Sequence, residues 1–384
     1  MDGVGRKLVV LLDGTGNRYS HRPTNILRLC MALPDRPGEI LAYYDQGVGT
    51  FGLRETLFEW QKVPGRIFGL AFGWGLRRTV EGAYRFLVEN YQPGDQLYLF
   101  GFSRGAYAAR ALAALMHALG LVGRHNAHLF EYAWDMLRRR DQGDDVDFHL
   151  QSSFRQTFGR EVKIRFMGLF DTVKSVGWVY DPVSLPFTRT NPDVLSIRHA
   201  VSIDERRAFF RQNLWSNEPK ALEAWFAGVH ADVGGGYEIS DSQLALVSLR
   251  WMIAEALANG LPFDPDRVHK ILYEGQARPE PTGPRHDSMT SAWKIAEWVP
   301  RLIWVLKDGR GRWRLAIGAM PPLGRPRKRT IRPDTRFHES VAIRCKVLGE
   351  YADIRQAVAA NLIHDDPSID ALLSNARNGP RGKA

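Results

Sequence analysis

Ser103 stands in Gly101-Phe102-Ser103-Arg104-Gly105, directly after the apolar run Leu97-Tyr98-Leu99-Phe100 and before an alanine-rich stretch that continues to Gly120. Strand, Gly-x-Ser-x-Gly, helix is the layout of a nucleophile elbow. The glycines are required sterically. The serine occupies a strained backbone conformation on a tight turn, and side chains two residues to either side would collide with neighbouring chain. A helix that begins at the turn points backbone N–H groups at the spot where an oxyanion would form. The chemistry this permits is attack by the Ser103 hydroxyl on a carbonyl carbon. The pentapeptide by itself is common by chance; the flanking strand and helix distinguish it from a glycine-rich turn with a capping serine.

A serine nucleophile needs a base within hydrogen-bond reach and an acid to orient that base. In α/β-hydrolases the acid and then the histidine follow the serine, each at the carboxyl end of a later strand. Two acids qualify. Asp171 ends the run Phe166-Met167-Gly168-Leu169-Phe170, and Asp204 ends His199-Ala200-Val201-Ser202-Ile203. Arg206 and Arg207 offer Asp204 a structural ion pair, which favours Asp171. His230 lies in Val229-His230-Ala231-Asp232-Val233-Gly234-Gly235-Gly236, a glycine-rich loop after an apolar run, and an imidazole suits acid–base work at neutral pH. His338, in Phe337-His338-Glu339-Ser340, is the alternative base, and His286 a weaker one. The expected oxyanion donors are the N–H of Arg104 and one from the turn after the first strand, at Gly14 or Thr15. Asp13 is expected to order that turn by accepting backbone N–H bonds.

Other chemistries fit less well. Gly47-Val48-Gly49-Thr50-Phe51-Gly52 spells Gly-x-Gly-x-x-Gly, but the first strand of the sheet does not carry it, as a dinucleotide site would require. Asp13-Gly14-Thr15 has Leu11 where an Asp-x-Asp-Gly-Thr phosphatase has its nucleophile. His230-x-Asp232 has no third ligand near it for a metal. No cofactor and no metal are expected.

These residues must be carried by a sheet. Apolar runs alternate with helical stretches, which predicts an α/β fold with a mostly parallel central sheet and helices on both faces. Strands are expected at Lys7–Leu12, Ile40–Tyr44, Leu97–Phe100, Val162–Phe170, Ser196–Ile203 and Glu223–Val229, the last closing the core. Helices are expected from about Thr24, over Arg77–Asn90, after the elbow, over Ala127–Arg140 and Phe148–Phe158, and as an amphipathic helix over Ser242–Asn259. The pattern divides the chain into a catalytic core over 5–260, a basic, tryptophan-rich C-terminal appendage packed on it over 261–372, and a flexible tail over 373–384.

Of the 384 residues, 44% are hydrophobic and 24% charged, as in an ordinary globular protein. Two cysteines, Cys30 and Cys345, make neither a disulfide framework nor a metal-binding spacing, so a reducing compartment is the default. Residues 1–10 lack the apolar core of a signal peptide, and no window resembles a transmembrane helix. A cytoplasmic protein is expected, with export by a signal-independent secretion system left open. The net charge of +10 is concentrated between Leu306 and Lys346, where arginines and lysines, including Arg325-Pro326-Arg327-Lys328-Arg329, far outnumber Asp308, Asp334 and Glu339. With Trp293, Trp298 and Trp304 nearby, that stretch suits either an anionic membrane surface or a solvated basic face over the core. Nucleic acid is disfavoured because no recognisable motif accompanies the charge. Oligomeric state is not legible.

Taken in order, Leu11-Leu12-Asp13-Gly14-Thr15-Gly16-Asn17, Tyr44-Asp45-Gln46-Gly47-Val48-Gly49-Thr50, the elbow, Phe170-Asp171-Thr172-Val173, His199–Arg207, Trp225–Tyr237 and His338-Glu339-Ser340-Val341 cover most of the chain. Together they resemble the α/β-hydrolase family that includes phospholipase effectors of bacterial type VI secretion. The resemblance implies a hydrolase of carboxylic esters, lipid esters foremost, with a Ser–Asp–His triad falling on Ser103, Asp171 and His230. The secreted effectors are generally longer and carry a substantial membrane-binding part, whereas only about 120 residues follow the core here.

Overall fold

A computed structural model describes residues 5–14, 22–47, 65–138, 148–173, 185–207, 210–215, 218–296, 301–307, 310–316 and 328–378. Its centre is an eight-stranded sheet: β1 (Lys7–Leu12), β2 (Ile40–Asp45), β3 (Gln96–Phe102), β4 (Ile164–Phe170), β5 (Ile197–Ser202), β6 (Ala221–Phe226), β7 (Arg336–His338) and β8 (Leu362–Ile363). The spatial order is β8-β7-β6-β5-β4-β3-β1-β2, and every neighbouring pair is parallel. A parallel sheet covered on both faces reads as continuous apolar runs. The alternation is nevertheless visible in the packing of β1. Leu8, Val10 and Leu12 join one core with the helix α2 (Gly65–Asn90) and the helix α3 (Arg104–Leu119). Val9 and Leu11 join the opposite core with α1 (Asn25–Ala32) and the later helix Gln243–Ala258.

Strand order reverses beside β1, where β2 leaves to one side and β3 to the other. A crevice opens at such a switch point, beyond the carboxyl ends of the strands. Register then fixes what meets there. Phe102 pairs with Phe170, so Ser103 and Asp171 occupy equivalent positions one residue past adjoining strands. The Ser103 N–H donates to Phe170 O at 3.0 Å, and the Asp171 N–H donates to Ala200 O at 2.7 Å.

Several elements differ from expectation. Helix α2 begins twelve residues before the regular pattern at Arg77, at Gly65. The sheet does not close at β6, because β7 and β8 extend the same edge from beyond residue 330. Phe337 and Val341 pack there against Trp225 and Val201. The tryptophan-rich stretch, for which no element was expected, holds a helix, Ser291–Ala296, and a hairpin of Arg301–Lys307 with Arg310–Ala316. The Gln243–Ala258 helix is buried on nearly every side rather than amphipathic. Its outer face is covered by the helix Ser368–Asn378, which reaches into the first residues of the region expected to be a flexible tail and buries Ile369 and Leu373. Residues 379–384 lie outside the described residues. No helix among the described residues is long and apolar enough to cross a membrane.

Candidate active site

Ser103 sits between β3 and α3 with φ 58° and ψ −119°, a left-handed conformation that costs a side chain on the order of 1–3 kcal/mol. The flanking glycines explain how the turn closes. A Cβ on Gly105 would lie 2.1 Å from the Leu12 carbonyl oxygen, and one on Gly101 would lie 2.5 Å from the Ala106 Cα. Gly105→Ala is therefore expected to cost about 3 kcal/mol by overpacking against backbone that cannot yield. A melting curve several degrees below the wild type would register it.

Asp171 also has a positive φ, 39°, which turns its carboxylate back over the strand ends. Its Oδ1 accepts from the Ser202 N–H at 2.9 Å, and its Oδ2 accepts from the Ser202 hydroxyl at 3.1 Å. The His230 Nδ1 lies 2.6 Å from Oδ2. His230 follows β6 through Gly228, whose φ of 99° bends the chain back across the sheet. Its imidazole ends stacked on the ring of Phe102, 4.7 Å between centroids, with Phe210 edge-on at 4.9 Å. Phe102 is the residue before Ser103, so the stack lays the imidazole alongside the elbow. Gly234 makes room for it: a Cβ there would lie 1.9 Å from a carbon of the Phe102 ring. Ser103 and His230 make no hydrogen bond with each other in this structure.

The electrostatics define the tautomer. Burial, the largest influence on Asp171, pushes its carboxyl up; the Arg329 charge and the bonded His230 outweigh it and hold the group far below the ordinary carboxylate range. An ionised carboxylate only accepts, so the His230 Nδ1 carries the proton and Nε2 carries the lone pair. Burial is also the largest influence on His230 and lowers its pKa; Asp171 and Glu205 raise it, Arg207 lowers it, and the net position is below 6.5.

Arg329 was not visible as a site residue in the sequence, where it closes a basic run. It is buried, and its guanidinium grips Asp171 end-on with both terminal nitrogens, Nη1 to Oδ1 at 2.5 Å and Nη2 to Oδ2 at 3.0 Å. Arg344, from the same basic stretch, is also buried and donates to the carbonyls of Pro281 and Gly283. That stretch is thus partly interior. Lys328 is exposed. Arg325, Arg327 and Trp298 lie outside the described residues. Trp293 packs edge-on against Phe210 at 5.4 Å, one ring away from His230.

Glu205 was likewise missed. It accepts from the His230 backbone N–H at 3.2 Å and from the Ser288 hydroxyl at 3.0 Å, and it pairs with Arg207 at 2.8 Å. Asp204, the alternative acid, is held elsewhere, by the Gly228 N–H at 2.8 Å, Arg285 at 2.8 Å and the Tyr351 hydroxyl at 2.5 Å. Its sequence neighbours do not pair with it: Arg206 bonds Asp287 and Arg207 bonds Glu205. His286 is bonded to Asp232, 2.6 Å.

His338, the alternative base, lies at the end of β7, four strands from β3 and so roughly 19 Å from the elbow. It caps the helix Glu339–Val347 by accepting the Ser340 N–H at Nδ1, and its Nε2 faces Asp365 at 3.1 Å. Burial, aided by the charges of Arg250 and His364, pushes it down to about 3. His338→Asn keeps a capping side chain and is expected to react at the wild-type rate in any assay of Ser103; a tenfold loss would return His338 to the site. His338, Glu339 and Asp365 are the described residues that approach a metal-binding cluster. Glu339 and Asp365 are already paired with His364 and Arg250, which leaves the cluster no open ligand set.

On the oxyanion side, Arg104 is the first residue of α3, so its N–H heads the helix. The Gly14 N–H is drawn to the Asp13 Oδ1 at 2.6 Å, which turns it to a structural task. Asp13 also accepts from Thr24 and Tyr44 hydroxyls, at 2.5 and 2.9 Å. Thr15 lies outside the described residues. Gly47, with φ 73°, presses on this turn, since a Cβ there would lie 2.5 Å from the Gly14 oxygen.

An eight-stranded parallel sheet with a serine elbow at its switch point defines a hydrolase-type α/β fold. The family described as the catalytic domain of type VI secretion phospholipase effectors, Tle1-like, matches residues 6–255, and the chain belongs to that family. An uncharacterised protein of Saccharomyces cerevisiae, YEL023C, is 34% identical over 232 residues, 56% of this chain and 33% of the yeast protein; the chain thus spans about a third of that relative's length. Among solved structures, an uncharacterised protein from Pseudomonas aeruginosa is 22% identical with a TM-score of 0.43, over 72% of this chain and 49% of that one. The Tle1 effector bound to the VgrG spike of the type 6 secretion system is 19% identical with a TM-score of 0.32, over 63% and 53%.

Proposed function

We propose that this chain is a serine hydrolase of carboxylic esters, with lipid esters as the substrate class. Ser103 is its nucleophile, His230 its base and Asp171 the acid that orients the base. The observation that carries this is the 2.6 Å bond from Asp171 to an imidazole stacked on Phe102, beside the strained serine. Ser103 Oγ adds to the ester carbonyl carbon while His230 Nε2 takes its proton. The resulting oxyanion is met by the Arg104 N–H together with the turn after β1, where Thr15 is the candidate for the second donor. The tetrahedral intermediate collapses, and the leaving alcohol takes the proton from His230. Water then attacks the acyl-serine by the same route and releases the acid.

A base that must be neutral loses function as it protonates. Because burial places His230 below 6.5, kcat/KM should hold constant through neutrality and fall on the acid side with a midpoint below 6.5. A midpoint well above 6.5 would mean that a different group is the base. Membership of a phospholipase effector family makes glycerophospholipid the first substrate to offer. Release of fatty acid from phospholipid vesicles or from a short-chain soluble ester by the wild type, and not by Ser103→Ala, supports the proposal. Equal release by both proteins would overturn it. Contact with an anionic membrane through exposed residues such as Lys328 is proposed as the accompanying binding mode, and vesicle binding should then weaken as salt is raised.

A further inference from the structure

Five hydrogen bonds converge on the Asp171 carboxylate, and two of them come from Arg329. The other three come from the Ser202 N–H, the Ser202 hydroxyl and His230. Arg329 is itself locked: Nη1 also donates to the Ser202 carbonyl at 3.0 Å and Nη2 to the Phe210 carbonyl at 2.6 Å. A guanidinium in this bidentate, end-on geometry fixes the plane of the carboxylate, which no single-point donor does. The carboxylate therefore sits between two cationic partners, one permanently charged and one that gains its charge during the reaction. Arg329 lies beyond residues 6–255, outside the part of the chain matched by the family.

We propose that Arg329 is a positioning residue of the active site, which holds both oxygens of Asp171 end-on and shares its negative charge, so that His230 receives only part of that carboxylate's field. The C-terminal segment thereby sets the pH at which His230 becomes a base. The inference rests on the hydrolase assignment for its consequence in catalysis, and on the Asp171 geometry alone for its effect on His230. The other charged or titratable groups facing His230 are Glu205 and Arg207 from the loop after β5, with Asp232 on the same short helix, His230–Gly234, engaged by His286. None of them touches the Asp171 carboxylate, so a change at Arg329 reaches His230 through Asp171.

The test separates charge from geometry. Arg329→Met removes the charge and keeps most of the stem. Arg329→Lys keeps the charge and loses the fork. The His230 titration is followed by nitrogen-15 NMR of the histidine side chains, assigned with His230→Gln, and needs no turnover. In parallel, the rate of Ser103 labelling by a fluorophosphonate is measured against pH. Arg329→Met is expected to raise the His230 midpoint by about one pH unit, because the unshared carboxylate then favours the imidazolium. The acid limb of labelling should move with it. Arg329→Lys should leave the midpoint near that of the wild type and lower the labelling plateau about tenfold through lost orientation. An unchanged His230 midpoint in folded Arg329→Met overturns the proposal. Should that variant not fold, an unchanged plateau in Arg329→Lys overturns it instead. Failure of the wild type to label would count against the hydrolase assignment, while the NMR titration would still decide the role of Arg329.

Discussion

Asp171→Asn is expected to slow ester turnover by about 10,000-fold. The carboxylate accepts from His230 Nδ1 and so fixes the tautomer whose lone pair is on Nε2, the atom proposed to take the Ser103 proton. An amide presents a donor in the same space and stabilises the opposite tautomer, in which Nε2 carries the proton and cannot take one from Ser103. The substitution also leaves Arg329 buried without a counter-charge, which costs about 3–5 kcal/mol when a buried pair is broken from one side. Two readouts are therefore expected together, a collapse of kcat and a lower melting temperature. If Asp171→Asn kept its activity within tenfold, Asp171 would not be the orienting acid. Asp204→Asn serves as the contrast. It loses the charge paired with Arg285, and it is expected to lower stability with kcat nearly unchanged.

The second large effect is structural. A chain ended at residue 260 would retain the elbow, Asp171 and His230 but is expected not to fold. Its loss would strip β7 from β6 and uncover Trp225, Val201 and Ile203, which pack against Phe337, Val341 and Val358. It would also remove Ile369 and Leu373 from the core around the Gln243–Ala258 helix. The carboxylates at the strand ends would lose their partners at once: Arg329 from Asp171, Arg285 from Asp204, Ser288 from Glu205 and His286 from Asp232. One uncompensated buried charge costs about 3–5 kcal/mol, a large part of the 5–15 kcal/mol that typically holds a domain together. Insoluble protein, or a chain without a cooperative melt, is the expected outcome. A soluble truncation with a sharp melt and a reactive serine would show that the first 260 residues are self-sufficient.

These two effects also mark where sequence reading succeeds and fails. The elbow was legible because its glycines answer a local steric need, and Gly101 and Gly105 meet backbone within 2.5 Å as that need requires. Asp171 and His230 could be singled out because an apolar run that stops at a polar residue marks the rim of a parallel sheet. Arg329 could not, since its partner stands 158 residues upstream and a run of arginines reads as solvated surface. Strands β7 and β8 escaped notice because three and two residues are too few to show a period. Helix Gln243–Ala258 was read as amphipathic because nothing in its own sequence announces the terminal helix that covers it. Residues 48–64 and 317–327, which the sequence left without assigned elements, lie outside the described residues.

The decisive measurement is the intact mass of wild type and Ser103→Ala after exposure to a fluorophosphonate probe. Such probes phosphonylate a serine only when a neighbouring base activates it. One adduct per wild-type chain, none on Ser103→Ala, and loss of labelling in folded His230→Gln are the results expected of a hydrolytic serine activated by His230. An unlabelled wild type with a native melt, or an adduct that persists on Ser103→Ala, would contradict that assignment.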